Sequence, residues 1–221
     1  MPTFDTLRQE FDSRALVRKI QKALAVLAPM SVELPRSLFA TGGSLVDLKT
    51  LGFLPVGIVS PDGYKFTREV SAENISALGY ASPIRSDTTE VTRSVTFTAL
   101  ESGKRHMLEL KYGQDLSGIK QAANGEIVFD EVDLPAGEEY RLLVIGSDGP
   151  ASENWILGKG YGRVKLASTG EESWGQEGAI QNEYTLDVFT DDVIGSPVRH
   201  YIGGTGAVKN KTLLGFTQAT V

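Results

Sequence analysis

Twenty-four glycines and nine prolines cut this 221-residue chain into short runs that are either wholly apolar or alternate apolar with polar residues. Few architectures accept that punctuation. An amphipathic helix needs about ten or more unbroken residues with an apolar position every third or fourth, whereas strands of about five to eight residues between turn signals build sandwiches and barrels. The fold class is therefore mainly β, a sandwich or barrel with one short flanking α-helix and long loop and terminal arms.

The plainest strand is Glu90 to Leu100, where Val91, Val95, Phe97 and Ala99 alternate with threonines and a serine. Arg105 to Tyr112 places His106, Leu108, Leu110 and Tyr112 on one face, and the link Glu101-Ser102-Gly103-Lys104 makes it the hairpin partner. Further strands are expected at Phe53 to Val59, Tyr64 to Val70 after a turn at Pro61-Asp62-Gly63, Glu126 to Phe129, Glu139 to Ile145, Gly162 to Ala167, Asn182 to Phe189 and Val198 to Ile202. The continuous run Leu142-Leu143-Val144-Ile145 calls for cover on both faces, while Glu183 to Phe189 alternates and keeps one wetter side.

Two stretches read as helical or undecided. Asp115 to Ala123 has Leu116, Ile119 and Ala122 or Ala123 at helical spacing before Asn124-Gly125, which predicts the short flanking helix. Asp12 to Ala28 fits a helical stripe through Leu16, Ile20, Leu24 and Leu27, and its end also fits a strand closing at Pro29, so it is divided with the strand last. Met30 to Leu51 and Ser71 to Thr89 carry few regular signals and are expected as long connections. With no linker composition or repeat, residues 1–221 form a single domain, with an N-terminal arm or segment at 1–22, a loop at 71–89 and a C-terminal arm at 204–221.

Composition narrows function by exclusion. There is no cysteine, so disulfides, thiolate nucleophiles and sulfur-ligated zinc are out. The formal net charge of −6 argues against tight, phosphate-neutralising nucleic-acid binding. No run of about 18 apolar residues is present to span a membrane, and the start lacks the pattern of a signal peptide, so synthesis and use in a cytoplasm are expected.

Catalysis has no positive sign. His106 and His200 both fall in expected strands and read as packed or hydrogen-bonded side chains, not as a metal pair. Gly158 to Gly162 and Gly203 to Gly206 lack the spacing of a phosphate loop and read as turns. No Gly-x-Ser-x-Gly elbow occurs, and the carboxylates Asp130, Glu131 and Asp133, or Asp191 and Asp192, lack the oxygen-rich repeat of a calcium loop. No catalytic residue, cofactor or metal is expected.

What stands out is a β domain with apolar residues in its arms: Ile75, Leu78, Tyr80, Pro83 and Ile84 beside Arg85 in the mid-chain loop, and Leu213, Leu214 and Phe216 after a polar tether. Such residues usually fold back on their own domain; the sharper reading is assembly with identical copies through strand edges and arms.

The run Val59-Ser60-Pro61-Asp62-Gly63-Tyr64-Lys65-Phe66, then Ser82 to Thr89 and Val95 to Glu101, resembles the major tail tube proteins of long-tailed, siphovirus-type actinobacterial bacteriophages. So do Leu108 to Gly113, Gly162 to Glu171 and Val198 to Gly204, in the same order, and the likeness runs from about Ala25 to Gly204. Residues 1 to about 20 depart from it. The resemblance implies the phage tail tube fold: a β-sandwich-like domain with a flanking helix, six copies closing into a ring and rings stacking into a hollow tube for DNA. It implies a virion-tail protein without enzymatic activity, assembled in the host cytoplasm, whose partners are itself, a tape measure protein and tail terminator and tip proteins.

In that setting Ser71 to Thr89 is the inter-ring loop, Asp115 to Ala123 the flanking helix, and the terminal segments are clasps. Glu183 and Asp187, alternate positions of one strand, are the acidic residues expected to face the bore, where negative charge repels phosphate and lets DNA slide. Two other readings stay open. One is a carbohydrate-binding or glycan-hydrolysing β-sandwich with Trp155, Trp174 and Tyr161 as stacking platforms, although tryptophans more often anchor a core or an interface. The other is a tail terminator or distal tail ring protein of the same fold, which differs in copy number.

Overall fold

Leu142 to Ile145 is buried without a gap, and the architecture follows from how its two faces are covered. In the computed structural model, which describes residues 2–176 and 178–217, the strands are β1 (Lys22–Pro29), β2 (Leu54–Pro55), β3 (Val59–Ile75), β4 (Arg85–Ala99), β5 (Glu139–Asp148), β6 (Trp155–Thr169), β7 (Asn182–Phe189) and β8 (Val198–Gly203). They form one antiparallel sheet in the order β2-β1-β5-β6-β7-β4-β3. β6 is long enough to hold two neighbours along one edge: Ile156 to Tyr161 pairs with β8, and Arg163 to Thr169 with β7. The fold class is thus mainly β, with few short helices, as expected.

The sheet curls onto itself. Leu142 and Val144 face inward and join Ala25 and Leu27 of β1, Val95 and Phe97 of β4, and Tyr184 and Leu186 of β7 in one core. Leu143 and Ile145 face outward and join Val26, Ile156 and Tyr201 in a second core, covered by Leu34, Leu38 and Phe53 from the irregular 30–53 connection. β7 alternates as expected, with Tyr184 and Leu186 buried and Glu183 and Asp187 exposed. A buried ion pair ties the cover down: Arg141 Nη1 lies 2.5 Å from Asp191 Oδ2 and also donates to the Gly162 carbonyl.

Several local expectations are corrected. Arg105–Tyr112 is helix α2, following α1 (Phe4–Phe11), and not a strand. Its residues are good helix formers without β-branching, Arg105 and Glu109 pair at i,i+4, and Gly113 closes it in the left-handed conformation with φ +60°. Met107 and Leu110, three apart, are the pair that packs into the core. The hairpin partner of β4 is accordingly β3.

Asp115 to Ala123 is a chain of turns, not a helix. Asp115 captures its own downstream backbone, accepting from Ser117 N–H at 2.7 Å and from its hydroxyl at 2.9 Å, and Leu116 alone is deeply buried, so no apolar face holds a helix together. Glu126 to Phe129 is irregular, and of Phe53 to Val59 only Leu54–Pro55 pairs as β2 before β3 begins. Pro61-Asp62-Gly63 is a large bulge inside β3, not a turn: five steps from Val59 to Tyr64 oppose two from Ala99 to Phe97. The Gly158 to Gly162 stretch lies within β6, not in a turn, and its glycines make room for the second core: Cβ atoms at Gly158 and Gly160 would press on Leu38, Leu34 and Tyr201. Asp12 to Ala28 does divide, into a 3₁₀ turn at Arg14–Leu16 and β1.

Candidate functional site

β4 bonds β7 only from Ser94 to Ala99, yet its pairing with β3 continues to Ile75↔Arg85. The result is a two-stranded ribbon, Arg68 to Ile75 against Arg85 to Arg93, that leaves the sheet for about 25 Å at the usual rise per strand residue. The connection expected over Ser71 to Thr89 is therefore mostly strand, and the loop proper is 76–84. Along this ribbon only Ala77, Asp87, Val91 and Arg93 are half-buried, and Ile75, Leu78, Tyr80 and Ile84 point into solvent at or near its tip, with Pro83 exposed among them. Arg85 stays local, 2.7 Å from Asp87.

The inward curl leaves one broad face uncovered, the outer side of β6, β7, β4 and β3. Register places Thr96 between Lys65 and Thr185, and Ser94 between Thr67 and Asp187, which in turn faces Lys165. Glu183 opposes Thr98 on the same face, so the two predicted acidic positions do share one exposed surface. The Thr96 and Thr185 hydroxyls bond across it at 3.1 Å. Arg163, at the rim, is held by both Glu139 oxygens at 2.7 and 2.8 Å and is pushed above its ordinary value by that carboxylate.

The termini behave differently from each other. α1 is capped by Thr3, which accepts from Thr6 N–H at 3.3 Å, and buries none of its residues. At the other end α3 (Thr205–Lys209) seats Gly206 against the indole of Trp155, and α4 (Lys211–Leu214) leaves Leu213 and Phe216 exposed with Leu214 half-buried. Residues 218–221 of the expected C-terminal arm, and Met1 of the N-terminal one, lie outside the described residues.

No protein-family model matches the chain. No curated protein matches it either. Among solved structures it is similar to a chain of the SPP1 tail tube, with a TM-score of 0.43 at 9% identity over 91% of this chain and 88% of that one. It is also similar to a chain of the anti-feeding prophage baseplate, with a TM-score of 0.39 at 10% identity over 88% of this chain and 99% of that one.

The stacking trio of the carbohydrate reading is not assembled. Trp155 and Tyr161 are core residues, Trp155 under the Arg18 guanidinium at 4.1 Å, and Trp174 alone is exposed, donating to Glu172. His106 Nε2 donates to the Pro55 carbonyl at 2.8 Å on α2, far along the chain from His200 on β8. Among the described residues no three His, Asp or Glu side chains gather as metal ligands.

Sequence reasoning missed a groove of about 910 Å³ between the start of β3 and the β6–β8 pair. Lys159 reaches across it, its ammonium 3.8 Å from the Phe66 ring centroid, and burial lowers its pKa. Burial also pushes the Tyr64 hydroxyl up to about 12. The only sequence sign was the apolar bias of Ile58, Phe66 and Ile202 at positions left exposed.

Proposed function

We propose that this chain is the repeating structural subunit of a phage tail tube, six copies forming a ring and rings stacking into a hollow conduit for viral DNA. The observation that carries the reading is the two-stranded ribbon with its apolar tip. A lone hairpin is marginal in water, so a ribbon this long with apolar residues at its end is suited to being held by another chain. The ordered series of sequence motifs supplies the kind of assembly, and the uncovered hydroxyl-rich face supplies a surface for the bore, with Glu183 and Asp187 on it.

In this reading the ribbon tip contacts the next ring, and Leu213, Leu214 and Phe216 serve as a further clasp. The partners are other copies of itself, with tape measure, terminator and tip proteins at the tube's length and ends, in the virion tail. DNA passes without tight binding. Negative-stain electron microscopy of the protein across a concentration series tests it: rings and stacked tubes are expected. Isolated single rings would move the assignment to a terminator or distal ring protein, and monomers at every concentration would overturn it.

A further inference from the structure

α1 carries Phe4, Leu7 and Phe11 at i, i+3 and i+7, one apolar stripe along two turns, and Phe4 and Phe11 are 78% and 82% exposed. An amphipathic helix that buries nothing against the other described residues is an unfilled half of a contact. The groove between β3 and the β6–β8 pair is the other unfilled half. Ile58 and Phe66 form one wall, Leu157 and Ile202 the other, and Ile20 lies with them, packed over Gly146. Ser60, only 9% exposed, brings to it a hydroxyl with no hydrogen-bond partner among the described residues. An eight-residue helix is about 12 Å long and about 10 Å across, so one face of α1 fits a space of about 910 Å³.

We propose that α1 of one copy docks, stripe inward, in this groove of a second copy. The proposal rests on self-assembly and names the surface that mediates it. Charge selects this occupant among the exposed apolar segments. Lys22 and Lys159 line the groove and join no ion pair among the described residues, against the single acid Asp62. On α1, Arg8 is spent on Asp12 at 3.3 Å, which leaves Asp5 and Glu10 to meet those lysines. The ribbon tip, residues 76–84, has no charged residue, and the C-terminal segment brings Lys209 and Lys211, of the wrong sign. The apolar stretch around Val128 and Val132 is held to its own chain by Gln114, bonded to the Asp130 carbonyl and the Val132 N–H.

The groove's own α1 is directed elsewhere. Lys19 N–H bonds Asp148, and Arg18 sits on Trp155, so the chain before Ile20 departs past the end of the β5–β6 hairpin. A second copy is therefore the source.

The absence of cysteine makes the test direct. Full-length Leu7→Cys and a size-tagged full-length Ile202→Cys are mixed at assembling concentration and treated with a short bismaleimide. Crosslinked pairs of one tagged and one untagged chain are expected, well above a control pairing Leu7→Cys with Ser117→Cys. Phe4→Ser with Phe11→Ser should cut the yield about 100-fold, at about tenfold per anchoring aromatic, with an unchanged melting curve. Crosslinking no better than the control, or unaffected by the phenylalanine changes, overturns the docking. Microscopy of the same samples separates the causes: tubes without the crosslink sink the docking alone, whereas neither tubes nor crosslink sinks the assembly reading as well.

Discussion

Replacing Leu78, Tyr80 and Ile84 by serine strips the ribbon tip of its apolar surface while leaving the ribbon's backbone pairing intact. These side chains are 102%, 69% and 57% exposed, together a little over two fully exposed apolar side chains. At about 2 kcal/mol for each one buried, docking gains about 4–5 kcal/mol gross. Ordering three side chains returns about 0.5–1 kcal/mol each, so about 2–3 kcal/mol net remains per arm. That is about 30- to 150-fold in the contact's equilibrium constant. Because no tip residue touches either core, the melting temperature of dilute protein should be unchanged. Sedimentation velocity across a concentration series reads the assembly threshold, which should rise by at least the per-arm factor. A threshold shifted less than about threefold, a change of only about 0.65 kcal/mol, would show that the tip does not dock. A melting temperature lowered by several degrees would show instead that it belongs to its own fold.

Other consequences follow from single contacts. Arg141→Leu leaves the Asp191 carboxylate buried without its cation and should cost about 3–5 kcal/mol, about 10 °C in melting temperature, with a smaller loss in the Arg141→Leu, Asp191→Leu pair. The Lys104 ammonium and the Ile58 N–H hold the Glu101 carboxyl below its ordinary 4.5. Its contribution is complete above that pH and is lost as pH falls through the folded-state value, so Glu101→Gln should flatten the acid limb of melting temperature against pH. Glu183→Lys with Asp187→Lys should leave folding intact, since both side chains are exposed, but make assembled tubes retain DNA at low salt and release it at high salt. Tubes that retain no DNA at any salt would remove these two residues from the bore.

Legibility in the sequence tracked how strongly packing repeats the local pattern. β7 and β8 were readable because one face is buried and the alternation survives: Tyr184 and Leu186 in, Glu183 and Asp187 out. β5 was readable because covering both faces erases alternation in a recognisable way. Arg105–Tyr112 misled because Leu108, Leu110 and Tyr112 satisfy period two as well as a helix, and the deciding residue, Met107, lies off that alternation. The ribbon was unreadable for the opposite reason. Ser71 to Asn74 and Ser86 to Glu90 are exposed apart from a half-buried Asp87, so only backbone pairing makes them strands, and side-chain pattern carries no record of that. The exposed tip residues were legible, since Ser, Gly and Pro bracket them. The groove was not, because it joins β3 to β6 and β8, whose positions lie more than ninety residues further along the chain.

The uncovered face also changes the electrostatic argument for a bore. The net charge of −6 suggests an acidic wall, but register sets Lys165 opposite both Glu139 and Asp187, and Arg163 is locked to Glu139. The remaining positions are largely hydroxyls: Thr67, Thr96, Thr98, Thr185 and Ser94. A face whose charges are mostly answered by neighbours presents a weak field beyond about 8 Å, the screening length at physiological salt. Glu183 has no lysine across from it in either strand pair, but Lys65 of β3 has no carboxylate across from it either, so the charges of this face, Lys65, Arg163 and Lys165 against Glu139, Glu183 and Asp187, balance. In the proposed tube, a wall rich in hydroxyls with its charges balanced neither traps a polyanion nor excludes it, which is the balance that a conduit for DNA requires.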